Sequence, residues 1–477
     1  MKEYINLIRQ SGINGDIIKM MINEHIPVRE KLMKLYARYK ADPAGVPILT
    51  RSIIDYGSAG TDKVQRIDDK VNNKLNNSFD SEIIDTKTGY MFGHPISYET
   101  EDKQLKDQVS TFNTRNNIED ADSELGKMAS ICGYGARLLF VNEEGNECLR
   151  NVDPWECIIL ALDDITEPTY ALRYYSVFEW VSGKKVESYR ADFYDETFIY
   201  SFKSSDKAKY DLIETKPHLF NGCPLFGVPN NKEMKGDTEK VISLIDAYDR
   251  TLSDASNEIE QFRLAYLIVK GASLDDEDME KLKKNGVFEV FDDNGDVKFL
   301  TKEINDAMIE NHLNRLEENI LRFAKTVNFS DGSFGGTITG VAMRYKLMAL
   351  EHKAITMERK MTAAFRYQYK ILCSAWSKRI LAGKDAYLKL WFQFKRNLPA
   401  NILEEAQASA ELKGLVSEET RLALLSFIDD VRFEIERMRA EADAYTIDDN
   451  QGEDEEQEVN EDDEAFQKDE RKKQPSE

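Results

Sequence analysis

The chain has 477 residues, a net charge of -23 and 32% charged residues, and its mean hydropathy is -0.54. That length suits two or three domains with substantial cores. No apolar run of eighteen residues and no basic-then-apolar start occur, so neither a membrane span nor a signal peptide is expected and the reading is a soluble, cytoplasmic product. Residues 441–477 hold sixteen acids against four bases, leaving about -11 on the rest, which excludes a protein that grips nucleic acid through many phosphate contacts. The five cysteines (Cys132, Cys148, Cys157, Cys223, Cys373) form no CxxC pair; they read as reduced, mostly buried thiols.

In chain order, residues 1–24 predict an amphipathic helical stretch, punctuated at Pro27, and Val28–Tyr39 predicts a second helix with Leu32, Leu35 and Tyr36 inward. Asp42-Pro43-Ala44-Gly45 breaks it. A charged helix is expected over Asp62–Leu75, on Val64, Ile67 and Val71, and another from Phe79 that leads into a strand near the Gly/Pro-marked Gly93–Tyr98. Gln104–Ile131 reads as one helix with Leu105, Val109, Phe112, Ile118, Leu125 and Met128 inward.

From Gly133 to about Phe226 the apolar period switches to two. Arg137–Val141 and Cys148–Val152 predict a hairpin, followed by strands over Pro154–Leu160, Tyr170–Val181, Val186–Phe193 and Thr197–Phe202. An antiparallel sheet flanked by helices makes residues 1–235 an α+β domain. Tyr174, Trp180, Phe193 and Phe198 suit sheet packing better than a ligand platform.

Two heptad-patterned helices follow. The first carries Val241, Ile245, Tyr248, Leu252, Ala255, Ile259, Phe262 and Tyr266; the second carries Ile309, Leu313, Leu316, Ile320, Phe323 and Val327. Between them lie a strand at Tyr266–Val269, a short helix at Asp275–Lys284 and a hairpin formed by Val287–Phe291 (with Val290), a turn at Asp292–Gly295 (Asn294-Gly295), and Val297–Leu300 (with Phe299). If the two helices pair antiparallel, this small α/β piece sits at their tip, on a stalk of about 30 Å. Residues 328–339 read as a polar, flexible loop: Asn328, Ser330, Asp331 and Ser333 are polar, Gly332, Gly335 and Gly336 supply freedom, and Phe334 lies among them. Gly340–Leu381 predicts a long helix with a face of Val341, Tyr345, Met348, Ile355, Met361, Phe365, Tyr369, Leu372, Trp376 and Ile380. A strand at Leu388–Phe394 and helices at Asn401–Ala410 and Glu418–Thr446 complete the fold, and Asp448–Glu477 reads as a disordered acidic tail.

Catalytic patterns are missing. GxxxxGK[ST], GxGxxG, GxSxG and HExxH do not occur. Gly332-Ser-Phe-Gly-Gly336 makes a poor phosphate loop, with no strand before it and no lysine in place after it. Asp163-Asp164, Asp275-Asp276 and Asp292-Asp293 could hold Mg²⁺ for nuclease work, but solvated turns explain them better. The expectation is no enzyme, no cofactor and no metal.

Four segments, in order, resemble one family. Gly89-Tyr-Met-Phe-Gly-His-Pro-Ile-Ser-Tyr98 is similar to a G-Y-x-x-G-x-P-I-x-Y pattern. Phe226–Glu233, with Gly236-Asp-Thr-Glu239 and Leu244-Ile-Asp-Ala-Tyr248, resembles the run into that family's first stem helix. Phe334–Lys346 with Leu350-Glu351 is similar to its loop-to-long-helix segment, although Thr339-Gly-Val-Ala-Met-Arg344 stands where Ser-Gly-x-Ala-Leu-Lys is common. The family is the portal proteins of tailed bacteriophages, siphophage type. The resemblance covers the chain to about residue 446 and implies a predominantly α-helical α+β portal fold: wing over 1–235, stem helices over 236–266 and 306–327, clip over 267–305, tunnel loop over 328–339, a long wing helix and following strand over 340–399, and a helical crown over 400–446, with the acidic tail at 447–477. It further implies a ring, usually of twelve copies, that passes double-stranded DNA at one capsid vertex. The terminase large subunit and then the head–tail adaptor would meet the clip; the major capsid and scaffolding proteins would meet the wing. The place of action would be the virion, after assembly in the host cytoplasm. The alternative kept open by the residues alone is a coiled-coil-like scaffolding or head-morphogenesis protein without a channel.

Overall fold

A computed structural model of the chain describes residues 2–52, 54–55, 65–66, 71–181, 183–262, 266–270, 296–300, 306–328, 340–379, 383–398, 402–425, 427–428, 431 and 433–441. The chain separates into two compact units, Met1–Arg396 and Asn397–Glu477.

The first unit opens on α1 (Lys2–Ser11) and α2 (Gly15–Tyr39). Asn14 caps α2 through its side chain, which accepts from the Ile17 backbone N–H at 3.0 Å. Pro27 does not break this helix. Pro27 and Asn23, whose carbonyl loses its partner, are both exposed, where water can take the missing bond, and the helix is held on two cores, Met21 and Ile22 packing with Leu172 and Tyr174, and Leu32 and Leu35 with Ile84, Ile131 and Cys132. The expected helix at 62–75 is also corrected. Its described part is a short strand, β2 (Gln65–Arg66), paired antiparallel with β1 (Ile54–Asp55), and residues 71–78 have no helical turn. α3 (Phe79–Phe92) leads into β3 (Ser97–Glu99) as predicted. The single helix expected over 104–131 is two, α4 (Lys103–Arg115) and α5 (Ile118–Cys132), because Asn117 takes a left-handed conformation that asparagine tolerates.

The strands over residues 134–229 make two sheets rather than one. β4 (Tyr134–Val141) lies between β5 (Glu147–Val152) and β11 (Leu225–Pro229). β6 (Cys157–Leu160), β7 (Tyr170–Val181), β8 (Lys184–Tyr194), β9 (Phe198–Ser204) and β10 (Asp211–Pro217) form the other, in sequence order and all antiparallel. One core lies between the sheets, on Leu138, Val152, Ile159, Ala171, Tyr194 and Leu225. A second lies between the larger sheet and α1 and α2, on Ile5, Ile18, Leu172, Phe193 and Phe202. Tyr174 and Phe193 are buried there, as sheet packing requires; Trp180 is 75% exposed and Phe198 40%.

α6 (Ile242–Phe262) and α7 (Asp306–Ala324) form an antiparallel hairpin. Val241 and Ile245 at the start of one pack with Ile320 and Ala324 at the end of the other, and at the far end β12 (Tyr266–Lys270) pairs with β13 (Asp296–Leu300). Val297–Leu300 is thus a strand, as predicted, paired to Tyr266–Lys270. Its expected partner Val287–Phe291, with Val290, Asn294 and Gly295, lies outside the described residues, as does the predicted helix at 275–284. Ser330, Asp331, Gly332, Ser333, Phe334, Gly335 and Gly336 also lie outside them.

α8 (Gly340–Lys378) is the long helix. Its C-terminal two-thirds bury Met361, Phe365, Tyr369, Leu372 and Trp376 as expected, but nearer its start the buried line is Leu347, Leu350, Ala354 and Met357, while Tyr345 and Met348 are exposed. The two lines are one helical face shifted by a residue or two, a drift that a 39-residue helix accumulates against a strict heptad. β14 (Trp391–Gln393) pairs with β3, after a 3₁₀ turn at Ala386–Lys389.

In the second unit, α9 (Ile402–Glu411) and α10 (Glu418–Leu422) are described, with a further helical run over 433–441. The Ser417 side chain caps α10, accepting from the Thr420 N–H at 3.2 Å.

Candidate functional site at the foot of the hairpin

Residues far apart in sequence meet where α6 begins and α7 ends, beside the segments that carry the family resemblance. Asp237, buried, is the centre. Its Oδ2 takes the Lys87 ammonium of α3 at 3.0 Å, its Oδ1 takes Lys353 of α8 at 3.3 Å, and the Asn230 amide donates to Oδ1 at 2.9 Å. Lys353 also donates to the carbonyl of Ala324, the last residue of α7, at 2.9 Å. One carboxylate therefore ties α3, the end of β11, the start of α6, the end of α7 and the middle of α8. Burial pulls Asp237 up, but the two lysines and Asn230 outweigh it and hold the carboxyl below its usual range. Burial pushes the Lys87 ammonium down to about 8 against the pull of Asp237.

Gly236 permits this approach. A Cβ there would stand 2.3 Å from the Ile131 carbonyl oxygen, and the Asp237 N–H donates to Ser130 O at 2.8 Å. Glu239 accepts from the Gly236 N–H at 2.9 Å and binds Lys31 at 2.7 Å. The hydroxyl of Tyr90 donates to Glu351 Oε2 at 2.6 Å, and Arg396 clamps the same carboxylate through Nε and Nη2 at 2.9 and 3.1 Å. Tyr98 donates to buried Asp122, which pairs with fully buried Arg137 at 2.7 Å.

Along α6 the heptad stripe is only half the account. Val241 and Ile245 are buried, Tyr248 and Leu252 are half-buried, and Ile259 is 63% exposed. Phe262 belongs to the helix, but its side chain lies outside the described ones. On α7, Leu316 and Ile320 are buried, Ile309 and Leu313 are half-buried, and Phe323 is 56% exposed. A second line along α6, Asp249, Ser253 and Asn257, is buried and polar. Each of these accepts a backbone N–H from the extended segment 73–77: Asn77 at 3.0 Å, Leu75 at 3.0 Å and Asn73 at 2.7 Å respectively. Four helical residues rise about 6 Å and two extended residues about 6.6 Å, so the two spacings stay in register over three contacts. At the base of α6, Arg38 of α2 bridges Asp80 at 3.0 Å and Asp246 at 2.8 Å. The sequence signal for this strap was the polar i, i+4, i+8 series itself. It lies beside the heptad stripe and reads alone as a solvated face.

Asn328, the one described residue of the predicted loop, is half-buried, with its amide 3.5 Å from Glu317 Oε1. Asp164 pairs with Lys360 at 2.7 Å, a structural role. Among the described residues, no three His, Cys, Asp or Glu side chains converge on a metal-sized site, and no helix is long and apolar enough to cross a membrane.

Comparison with known proteins fits this arrangement. A family model described as phage portal protein, SPP1 Gp6-like, matches residues 18–448. The portal protein of Bacillus phage SPP1 is 27% identical over 448 residues, covering 90% of this chain and 86% of that one. The portal protein of Clostridium phage phiCD119 is 24% identical over 382 residues, covering 75% and 82%. Asp237, its partners and the segments that carry the resemblance all fall inside the matched span, and the chain belongs to the SPP1 Gp6-like family of phage portal proteins.

Proposed function

We propose that copies of this chain close into a ring, twelve in the form the sequence resemblance implies, around a channel at one capsid vertex. Double-stranded DNA passes through it during packaging and again on release, and head–tail connector proteins attach to it. Portal proteins are structural components of the virion capsid, and family membership disfavours the scaffold without a channel. In this reading residues 1–235 and 340–399 are the wing, 236–266 and 306–327 the stem, 267–305 the clip, 328–339 the tunnel loop and 400–446 the crown, followed by the acidic tail at 447–477. The terminase large subunit and later the head–tail adaptor engage the clip; scaffolding and major capsid proteins engage the wing.

The observation that carries the reading is the hairpin, buried in its own chain at the foot and bearing exposed apolar Ile259 and Met308 farther out. A face of this kind is completed by neighbours. The electrostatics agree: duplex DNA carries one charge per ~1.7 Å of axis, so a conduit must avoid many simultaneous cationic contacts, and this chain is strongly acidic. Asn328, Ser330, Asp331 and Ser333 are assigned to face the duplex. Asp331→Lys is expected to leave the ring mass unchanged in native mass spectrometry while slowing DNA packaging in a reconstituted assay. Packaging at the unsubstituted rate would sink the loop assignment, and a dimer in place of a ring would sink the conduit.

A further inference from the structure

The charge of the molecule reverses at the foot of the hairpin. A cleft of about 320 Å³ opens there between residues 230–240, the end of α7 and the middle of α8, far above the ~10–15 Å³ that admits one water. Its charged lining is Lys235, Lys240, Lys325 and Lys353 against Glu233 and Asp237. Most of these already have partners. Asp237 is shared by Lys87 and Lys353, and Lys235 reaches Glu239 at 3.3 Å. Lys240 and Lys325 are exposed, and among the described residues neither side chain makes an ion pair or hydrogen bond. Both lie near enough to Lys353 to add, after burial, to the depression of its ammonium pKa. Lys240 and Lys325 thus stand beside an ammonium whose carboxylate, Asp237, is already shared with Lys87, and in a chain of -23 these two lysines repel Lys353 with no carboxylate of their own among the described residues. Lys325 is held there by the backbone: it closes α7 in a left-handed conformation, φ 56°.

We propose that this cleft is a phosphate site, and that the phosphate it receives belongs to the backbone of the duplex. The second half rests on the conduit reading above. Lysine ammonium groups bind phosphate as point charges without demanding a fixed angle, which suits a ligand that slides. The position agrees, since Lys325 stands three residues before the segment assigned to the loop. The strength also agrees. Two lysines displace about two counterions, a log–log salt slope near -1.8 for each engaged subunit, which stays below the six to ten contacts of tight binders while no more than two copies of the ring engage the duplex at once. Such a site touches the duplex without holding it.

Lysine acetylation of the full-length assembled protein, read by mass spectrometry, tests this. The probes are inorganic phosphate and a short DNA duplex, each compared with chloride at equal ionic strength. Both are expected to slow acetylation of Lys240 and Lys325 several-fold while leaving exposed Lys34 and Lys184 unchanged. The doubly substituted K240Q/K325Q protein is expected to fold with an unchanged thermal midpoint and to lower the salt slope of duplex binding by about 2 per engaged subunit. Uniform protection of all surface lysines overturns the site. Protection by phosphate but not by duplex overturns the assignment to DNA. Free phosphate needs no channel, so its arm fails only if the cleft binds no oxyanion, whereas the conduit reading fails in the packaging assay.

Discussion

Asp237 is a buried charge that the fold cannot lose cheaply. Removing one partner of a buried, hydrogen-bonded ionic cluster commonly costs 3–5 kcal/mol, because the lysines it serves stay behind. Lys87 sits on the unfavourable side of that balance. Its folded pKa of about 8 lies below the usual lysine value, so unfolded chains bind the extra proton and stability rises with pH from about 8 upward. Four buried thiols act in the opposite direction. Burial pushes Cys132, Cys223 and Cys373 up to about 12, and Cys157 up as well. A thiol raised in the folded state stabilises fully below its unfolded pKa, near 8.5, and that contribution is lost as pH climbs toward the folded value. At about 1.4 kcal/mol per pH unit each, four thiols outweigh two lysines (Lys353 is depressed like Lys87). Stability should therefore fall steeply above about pH 9, seen as a drop in urea midpoint between pH 8 and pH 10. Cys223→Ala should shallow that slope by about one proton; an unchanged slope would mean the thiol titrates normally.

At the scale of elements, legibility followed whether a segment's partner was its own neighbour in sequence. The β7–β8 hairpin has period two, and its predicted ends match the strands closely. α8 announced itself by lacking Pro throughout and Gly after its first residue, Gly340. The strap at 73–77 did not, because its backbone donors are satisfied by side chains some 170 residues away. Residues 62–75 carry a few apolar positions at helical spacing, and local propensity alone favours a helix there; at the described residues, pairing of 65–66 with β1 and hydrogen bonds of Asn73 and Leu75 to α6 decide otherwise. Asn116-Asn117 hid the break between α4 and α5 for a related reason, since asparagine is tolerated inside a helix and favoured at its ends. The site behaved likewise: its motif segments could be read one by one, but not the convergence of Lys87, Asn230 and Lys353 on Asp237. The strap yields a local test. Ser253→Ala leaves the Leu75 N–H without its acceptor in a part-buried setting, a cost of about 0.5–1.5 kcal/mol. Hydrogen exchange should quicken over residues 71–78 and stay unchanged in α8. Uniform quickening across the chain would instead mean that the ladder is part of the global core.

For the molecule as a whole, the hairpin poses a packing problem that one chain does not solve. Two helices bury one stripe each against each other, and here that burial is complete only at the foot, on Val241, Ile245, Leu316 and Ile320. Ile259 and Met308 remain 63% and 69% exposed. Copies arranged around an axis would cover such positions on both flanks at once, whereas a pairwise coiled coil would cover one. Ile259→Asp separates folding from assembly. The position is exposed, so the single chain should keep its stability within about 0.5 kcal/mol, while native mass spectrometry should show the ring replaced by smaller species. Ile320→Asp is the control: it places an unpaired carboxylate in the closed part of the stripe and should unfold the hairpin before assembly is ever at issue. If Ile259→Asp assembles at the same protein concentration as the unsubstituted chain, the outer stripe is not the seam between subunits, and the proposed ring would have to close through other surfaces of the chain.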